Sequence, residues 1–213
     1  MHPHYSIDKR IKIGVSACLL GTPDRFDGGH KRNDFLVNTL GRMVEFVAVC
    51  PEVDIGLGVP RETLHLVRLG KAGIDLRLVA TKSGIDYTDT MNEYAERRAT
   101  ALGGDDLSGY VLKKNSPSCG MERVRVYDRS GKSQRDGTGL FAGALIRRYP
   151  NLPIEEEGRL DVPHLRDNFV ERVFAYRRLR TFFASRWTPA GLIHFHNAHR
   201  LFLMAHSLRP TGN

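Results

Sequence analysis

The sequence predicts an α/β protein with a mainly parallel sheet, flanking helices and a short helical C-terminal extension. Two β-branched apolar runs, residues 11–17 and 44–49, are separated by residues 33–43, whose apolar positions have helical spacing. A strand, a helix and a second strand in this order form a parallel pair, because the crossover returns the chain to the same end of the sheet. With 213 residues, the chain is long enough for one sizeable domain.

The next elements continue the alternation of strands and helices. Asn33 is a suitable N-cap for the first helix. The apolar runs 63–69 and 74–80 flank a glycine-rich turn and predict a hairpin. Residues 88–102 predict an amphipathic helix. The inward face of that helix consists of Met91, Tyr94, Ala95 and Ala99.

The second half of the domain repeats the pattern with shorter elements. Residues 109–112 and 124–127 predict two strands. Residues 137–149 predict a helix that Pro150 closes, and residues 152–155 predict a last short strand.

The C-terminal part differs in composition from the part before it. Residues 162–186 have a helical pattern and many arginines, and a second helix, residues 190–207, begins at Thr188-Pro189. This tail is too short to build a core of its own. We therefore predict a domain of residues 1–160 and a helical extension of residues 161–213, which packs on the first domain or is the start of a second domain.

Composition and charge indicate an ordinary soluble globular protein. No run approaches the ~20 apolar residues of a membrane span. The N-terminus lacks a charged-then-apolar signal pattern, which predicts a cytoplasmic location. The net charge of +8 is compatible with an acidic partner such as RNA. The basic residues are scattered, however, and this favours a solvated surface.

All three cysteines of the chain lie where predicted strands end. Cys18, Cys50 and Cys119 each follow an apolar run, and each is close to a glycine or a proline. The C-terminal ends of parallel strands meet at one edge of a sheet, where ligands bind in α/β proteins. The odd number and the wide spacing of the cysteines argue against a disulfide framework and against a local metal-binding signature.

The residues alone leave three interpretations of the thiols open. They are buried free cysteines, since cysteine packs as a small hydrophobic residue. Alternatively, they bind zinc with His30 or His65 as the fourth ligand. The third interpretation is an iron–sulfur cluster in which one iron lacks a protein ligand, and such an open position is what a catalytic metal needs.

Five motifs in a fixed order carry a resemblance to a known family. They are SACLLG at 16–21, RFDG at 25–28, CPE at 50–52, PR at 60–61 and KxxSPSCG at 113–120. Together they resemble the thiouracil desulfurase family over about residues 11–158. The resemblance implies a [4Fe-4S] cluster bound by Cys18, Cys50 and Cys119, and non-redox conversion of 2-thiouracil to uracil and sulfide. Residues 195–206 resemble the beginning of an uncharacterised helical domain that is often fused to this one.

The implied reaction requires a base, and Glu52 is our first candidate. An iron without a protein ligand is a soft Lewis acid that suits a thiocarbonyl sulfur. Water then attacks C2, and a nearby base takes its proton. The alternative role of Glu52 is to cap the following turn or to pair with Arg61.

Other polar residues of the same motifs are further candidates. Ser116 and Ser118 donate hydrogen bonds to the pyrimidine or to cluster sulfides, or they brace the turn at Pro117. Lys113 or Lys114 offsets the charge of the three thiolates, but adjacent residues of a strand point to opposite sides, so at most one of them does so.

Three residues are candidates for binding the substrate, namely Arg25, Asp27 and Arg61. Arg25 and Asp27 orient the edge of the uracil, or they form an ion pair within the turn. For Asp27, which precedes two glycines, we favour the ion pair.

The sequence contains two other clusters of titratable residues, one of histidines and one of glutamates, and for both we favour a structural role over a functional one. Four histidines crowd the C-terminal segment: His194, His196, His199 and His206. No carboxylate lies near them in the sequence, so we favour packing over a metal site. The acidic run 155–157 is typical of a solvated loop, although the resemblance places one of its carboxylates towards the site.

The predicted partner is a small thiolated pyrimidine, which we prefer to thiolated tRNA. The sequence gives no indication of the oligomeric state. Two other classes stay open: a sulfur-carrying or redox-sensing iron–sulfur protein, and a zinc-stabilised RNA-binding module. The net charge favours the RNA-binding module, whereas the lack of interleaved aromatic residues argues against it.

Overall fold

The computed structural model describes residues 11–69, 75–200 and 204. The strands within these residues are β1 (Ile11–Ser16), β2 (Val44–Val49), β3 (Leu64–Leu69), β4 (Asp75–Ala80), β5 (Leu107–Leu112), β6 (Val124–Tyr127), β7 (Ser133–Gly137) and β8 (Ile154–Glu156). The α-helices are α1 (Pro51–Asp54), α2 (Thr88–Leu102), α3 (Leu140–Arg148), α4 (Pro163–Ala184) and α5 (Pro189–Ala198). The predicted α/β class with a parallel sheet and flanking helices is confirmed.

The main sheet has the order β2-β1-β5-β8, and all of its neighbouring strands are parallel. Apolar side chains cover both of its faces, as parallel sheets require. On β5, Tyr110 and Leu112 pack with α2 and α3, whereas Val111 packs on the opposite face with Phe169 of α4. The C-terminal ends of β1, β2 and β5 therefore lie side by side.

A second sheet, of order β4-β3-β6-β7, contains the predicted hairpin as the antiparallel pair β3 and β4. The turn of that hairpin, 70–74, lies outside the described residues. Strand β7 was not predicted because its residues are polar and four of its five positions are exposed. The predicted helix over residues 137–149 begins later, at Leu140, because Gly137 pairs with Val124 of β6.

The segment 33–43 is helical but irregular. Residues Phe35–Thr39 form a π-helical turn, and Leu40–Arg42 form a 3₁₀ turn. The predicted cap is present, since Asn33 Oδ1 accepts a hydrogen bond from Leu36 N at 3.0 Å. Leu36 and Leu40 are both buried, which explains the helical spacing of the apolar residues.

The chain divides into two compact units, residues 1–176 and 177–213. The first unit includes the start of α4, where Phe169 and Val173 are buried. The second unit contains α5 and a group of aromatic rings: Phe182, Phe183, Trp187 and Phe195. The division into domains at residues 160 and 161 stays a prediction. None of the described helices is long and apolar enough to cross a membrane.

Candidate functional site

The parallel sheet brings all three cysteines to one cavity of about 390 Å³. Cys18 lies in a 3₁₀ turn directly after β1, and Cys50 is the N-cap of α1 directly after β2. Cys119 lies in the turn that follows β5. These placements are those expected for residues at the C-terminal ends of neighbouring parallel strands.

All three cysteines have free thiols. Cys18 and Cys50 are half-buried, and Cys119 is buried. Burial raises the pKa of Cys18 to about 11, and it raises the pKa values of Cys50 and Cys119 as well. The cysteines are close enough that a negative charge on Cys50 or Cys18 further raises the pKa of Cys119. Near neutral pH the thiols are therefore protonated, and a bound metal must replace these protons.

The donor set fits a group with several metal atoms. Cysteine sulfur is a soft ligand that suits iron–sulfur clusters and zinc. Among the described residues, no group of three or more His, Cys, Asp or Glu side chains is arranged to hold a single metal ion. Three thiols that line one cavity are a donor set that an iron–sulfur cluster with one open iron can use.

Neither of the two histidines considered as zinc ligands is among the residues that line the cavity. His30 Nδ1 accepts a hydrogen bond from Arg32 N at 3.2 Å. His65 Nδ1 lies 3.2 Å from Thr81 Oγ1, and its ring packs edge-on against Tyr127.

The turn that carries Cys119 is braced by Ser116. The hydroxyl oxygen of Ser116 accepts hydrogen bonds from Ser118 N at 3.2 Å and from Cys119 N at 3.0 Å. The carbonyl oxygen of Ser116 accepts a third bond, from Gly120 N at 2.8 Å. Ser116 therefore has the bracing role, and it also lines the cavity.

Hydrogen bonds from the N-terminus of helix α3 also fix the turn that carries Cys119. The first amide groups of the helix, at residues 140–142, donate to the carbonyl oxygens of Pro117 and Ser118 at 3.0–3.2 Å. These amides have no partner inside the helix, so the turn satisfies them. Gly139 lies so close that a Cβ there would be 2.5 Å from the main-chain carbonyl of Ser118.

Gly139→Ala should therefore displace the Cys119 turn. A contact of this kind with main-chain atoms cannot be relieved by a side-chain rotation, and overpacking costs about 1–3 kcal/mol. We expect a lower free energy of unfolding in urea and a lower iron content of the purified protein. Gly104→Ala is the matched control, because nothing lies within 4 Å of a Cβ at that position. Equal stability and iron content in the two variants would contradict the packing described here.

Glu52 is held in place by two partners on opposite sides of its carboxylate. Arg61 donates to Oε2 through Nε at 3.0 Å and through a terminal nitrogen at 2.8 Å. Ser118 Oγ donates to Oε1 at 3.0 Å. The pairing of Glu52 with Arg61, one of the two roles considered from the sequence, is present.

Arg61 connects three segments of the site. Besides Glu52, its guanidinium donates to the main-chain carbonyls of Asp24 and Gly58, both at 2.9 Å. The carbonyl of Asp24 also lies 3.8 Å from Cys50 Sγ. The Arg61 side chain is only 6% exposed. Arg61 lines the cavity, but its donors are largely used within the protein.

The structure does not bring every candidate residue to the cavity. Ser118 is fully buried and does not line the cavity, although it contacts Glu52. Arg25 lines the cavity, whereas Asp27 is exposed and does not. The Arg25 guanidinium donates to both carboxylate oxygens of Asp27 at 3.3 Å, which is the ion pair favoured from the sequence. The amide of Gly29 and Arg25 lower the pKa of Asp27.

Lys113 is the lysine that faces the Cys18 side of the site. Its charge lowers the pKa of the Cys18 thiol, partly offsetting the effect of burial. Lys113 Nζ donates to Glu157 Oε1 at 2.5 Å, and the main-chain amide of Lys114 donates to Glu157 Oε2 at 2.7 Å. Lys113 and Lys114 both line the cavity.

The acidic run 155–157 is buried, so the expectation of a solvated loop is wrong. Each carboxylate has a specific partner, which is the physical reason. Glu157 binds Lys113, Glu156 Oε1 accepts from Met121 N at 2.8 Å, and Glu155 lies 2.7 Å from Arg159 Nε. Burial raises the pKa of Glu156.

Several residues that line or support the cavity were not singled out from the sequence. Ser16 Oγ accepts from Lys113 N at 3.0 Å. Burial raises the pKa of Cys119, and a hydrogen bond with the Ser16 hydroxyl offsets part of this rise. Asp24 and Lys31 also line the cavity. Their only sequence signal is that they flank the RFDG motif.

Of the C-terminal histidines that the structure describes, His199 packs on a neighbouring ring, whereas His194 and His196 are exposed. The ring of His199 stacks on Phe195 with 4.0 Å between centroids, and His199 Nδ1 lies 2.8 Å from the Phe195 carbonyl. His206 lies outside the described residues. The described part of this segment contains no group of side chains arranged to bind a metal ion.

Comparison with known proteins gives a consistent result. The sequence model of the 2-thiouracil desulfurase family matches residues 13–157. The uncharacterized protein YbbK of Bacillus subtilis strain 168 is 32% identical over 154 residues, which are 70% of this chain and 99% of YbbK. A solved structure of the [4Fe-4S]-dependent thiouracil desulfidase TudS superposes with a TM-score of 0.57 at 33% identity. The match covers 76% of this chain and 99% of that structure.

Proposed function

Because the chain belongs to the 2-thiouracil desulfurase family, we propose that it removes sulfur from a thiolated pyrimidine with the help of a [4Fe-4S] cluster. Cys18, Cys50 and Cys119 would hold the cluster. The observation that carries the proposal is that three free thiols line one cavity next to a fixed carboxylate, Glu52. The reaction joins a water oxygen to C2 and breaks the C2–S bond, so uracil and hydrogen sulfide form without electron transfer.

When bound, the cluster supplies a soft Lewis-acidic iron for the thiocarbonyl sulfur. The chain itself must then supply a base for the attacking water. Glu52 lines the cavity and is presented to it from the first turn of α1. We assign the base to Glu52.

The partners of Glu52 suit this role. Two charge-assisted bonds from Arg61 hold the Glu52 carboxylate in one orientation at the cavity. A carboxylate oxygen has two lone pairs, so Oε1 can accept from Ser118 and still face a water molecule. Arg61 and Ser118 therefore orient the base.

Cations around the thiols support the proposed cluster binding and the release of sulfide. Lys113 and Arg25 both lower the pKa of the Cys18 thiol. Positive charge at this place stabilises thiolate ligands and the sulfide that leaves. The salt bridge with Glu157 fixes the position of the Lys113 ammonium group.

The proposal is tested by incubating anaerobically purified protein with 2-thiouracil in the absence of any reductant or oxidant. We expect uracil and sulfide in equal amounts. Absence of turnover by a cluster-loaded protein would contradict the proposal. Turnover only with an added electron donor would contradict the non-redox reaction.

The free base is the substrate that the cavity favours. A volume of about 390 Å³ with a few convergent polar groups is typical of a small-molecule site. One observation favours thiolated tRNA as a second candidate: residues 177–213 contain six arginines and no acidic residue, and Trp187 is exposed. We expect faster turnover of 2-thiouracil than of thiolated tRNA at physiological salt, and comparable rates would favour the RNA.

A further inference from the structure

We propose that Asp24 determines substrate specificity by accepting a hydrogen bond from a ring N–H group of the thiolated pyrimidine. This inference rests on the proposed function and extends it to the part of the ligand that does not react. Asp24 lies between the two motifs at residues 16–21 and 25–28, and it lines the cavity together with Cys18 and Cys50.

The main chain at Asp24 is fixed to the site. Its carbonyl oxygen accepts a hydrogen bond from Arg61 at 2.9 Å, and Cys50 Sγ lies 3.8 Å from the same oxygen. Arg61 in turn binds Glu52. Asp24 therefore keeps a defined position relative to a cluster ligand and to the base, as a residue that orients a substrate must.

The carboxylate of Asp24 has no hydrogen bond or ion pair with any of the described residues, although the residue is half-buried. Arg61 is near enough for its charge to act on Asp24, but its donors serve Glu52 and two main-chain carbonyls. The other carboxylate that lines the cavity, Glu52, already has a partner on each oxygen. The carboxylate of Asp24 faces the cavity with its acceptor sites unused by the protein, so it is available to accept a hydrogen bond from the N–H group of a bound ligand.

The chemistry of the ligand matches this acceptor. A 2-thiopyrimidine has ring N–H groups next to the thiocarbonyl carbon, and only an acceptor can bind them. The lysines and arginines of the cavity are donors and serve carbonyl or sulfur atoms instead. An analogue with a methyl group on the ring nitrogen would leave the carboxylate of Asp24 unpaired, and a site with an unpaired polar group discriminates strongly.

Asp24→Ala and Asp24→Asn test the inference. Loss of a hydrogen bond to a charged group typically corresponds to a change of about 10- to 100-fold. We expect KM for 2-thiouracil to rise by about that factor in Asp24→Ala and by less in Asp24→Asn, whose amide oxygen still accepts. The iron and labile sulfide contents and kcat should change little. Asp34→Asn is the matched control, since Asp34 is an exposed carboxylate that does not line the cavity and has no role in the site.

A second readout is discrimination between 2-thiouracil and its N-methylated analogues. The wild-type protein should prefer the unmethylated base, and Asp24→Ala should lose most of this preference. Unchanged KM and unchanged preference in Asp24→Ala would overturn the inference while leaving the proposed function intact. If the wild-type protein shows no turnover, the proposed function fails instead. Equilibrium dialysis with uracil then tests Asp24 alone, and equal binding by wild type and Asp24→Ala would overturn the inference.

Discussion

Cys119→Ser is expected to remove the cluster and abolish desulfuration. Serine is nearly the same size as cysteine, but its hydroxyl is a harder and far less acidic ligand than a thiol. Cys119 is also the most buried of the three cysteines, and Ser116, Ser16 and α3 fix its turn. The measurement is the iron and acid-labile sulfide content of anaerobically purified protein, together with turnover of 2-thiouracil.

Ser108→Ala is the control for this variant. Ser108 is a fully buried serine of β5, and its hydroxyl has no hydrogen-bond partner among the described residues. We expect it to keep the cluster and the activity. An active Cys119→Ser protein would leave only two cysteines for the cluster and would overturn the three-thiolate site.

Glu52→Gln is expected to keep the cluster and lose most of the rate. The amide has the shape of the carboxylate, and its oxygen can accept from Arg61 while its NH2 group donates to the Ser118 hydroxyl, but it cannot take a proton from water. Loss of a general base typically lowers the rate by about 10²–10⁴-fold. The variant should therefore have normal iron and labile sulfide but little desulfuration.

Glu45→Gln is the matched control, because Glu45 is an exposed carboxylate of β2 whose ion pair with Lys12 spans 3.8 Å. It should retain full activity. Full activity in Glu52→Gln as well would reassign the base to Ser116 or to one of the carboxylates at 155–157. The combination of an inactive Glu52→Gln protein with a full cluster separates catalysis from cluster binding.

The convergence of the three cysteines could be predicted from the sequence because it depends on few assumptions. Cys18 and Cys50 follow two strands of a βαβ-type unit, and Cys119 follows a third apolar run. Once the strands are parallel, their C-terminal ends must lie at one edge of the sheet. The order of the five motifs then identified the family.

The partners within the site could not be predicted in the same way. The contact of Ser118 with Glu52 joins residues far apart in the sequence, and no local pattern encodes it. The burial of the acidic run likewise depends on Lys113 and on an amide of residue 121. Strand β7 could not be predicted because it is an exposed edge strand of polar residues, which lacks the alternation of apolar and polar positions by which strands are recognised. Asp24 has no distinguishing signal apart from its place beside Arg25.

The most direct test of the account is the count of iron, zinc and acid-labile sulfide per chain after anaerobic purification. A [4Fe-4S] cluster on Cys18, Cys50 and Cys119 predicts close to four irons and four labile sulfides, without zinc. About one zinc per chain without labile sulfide would contradict the cluster and support a zinc-stabilised module. A protein with none of these elements that still desulfurates 2-thiouracil would contradict the account equally.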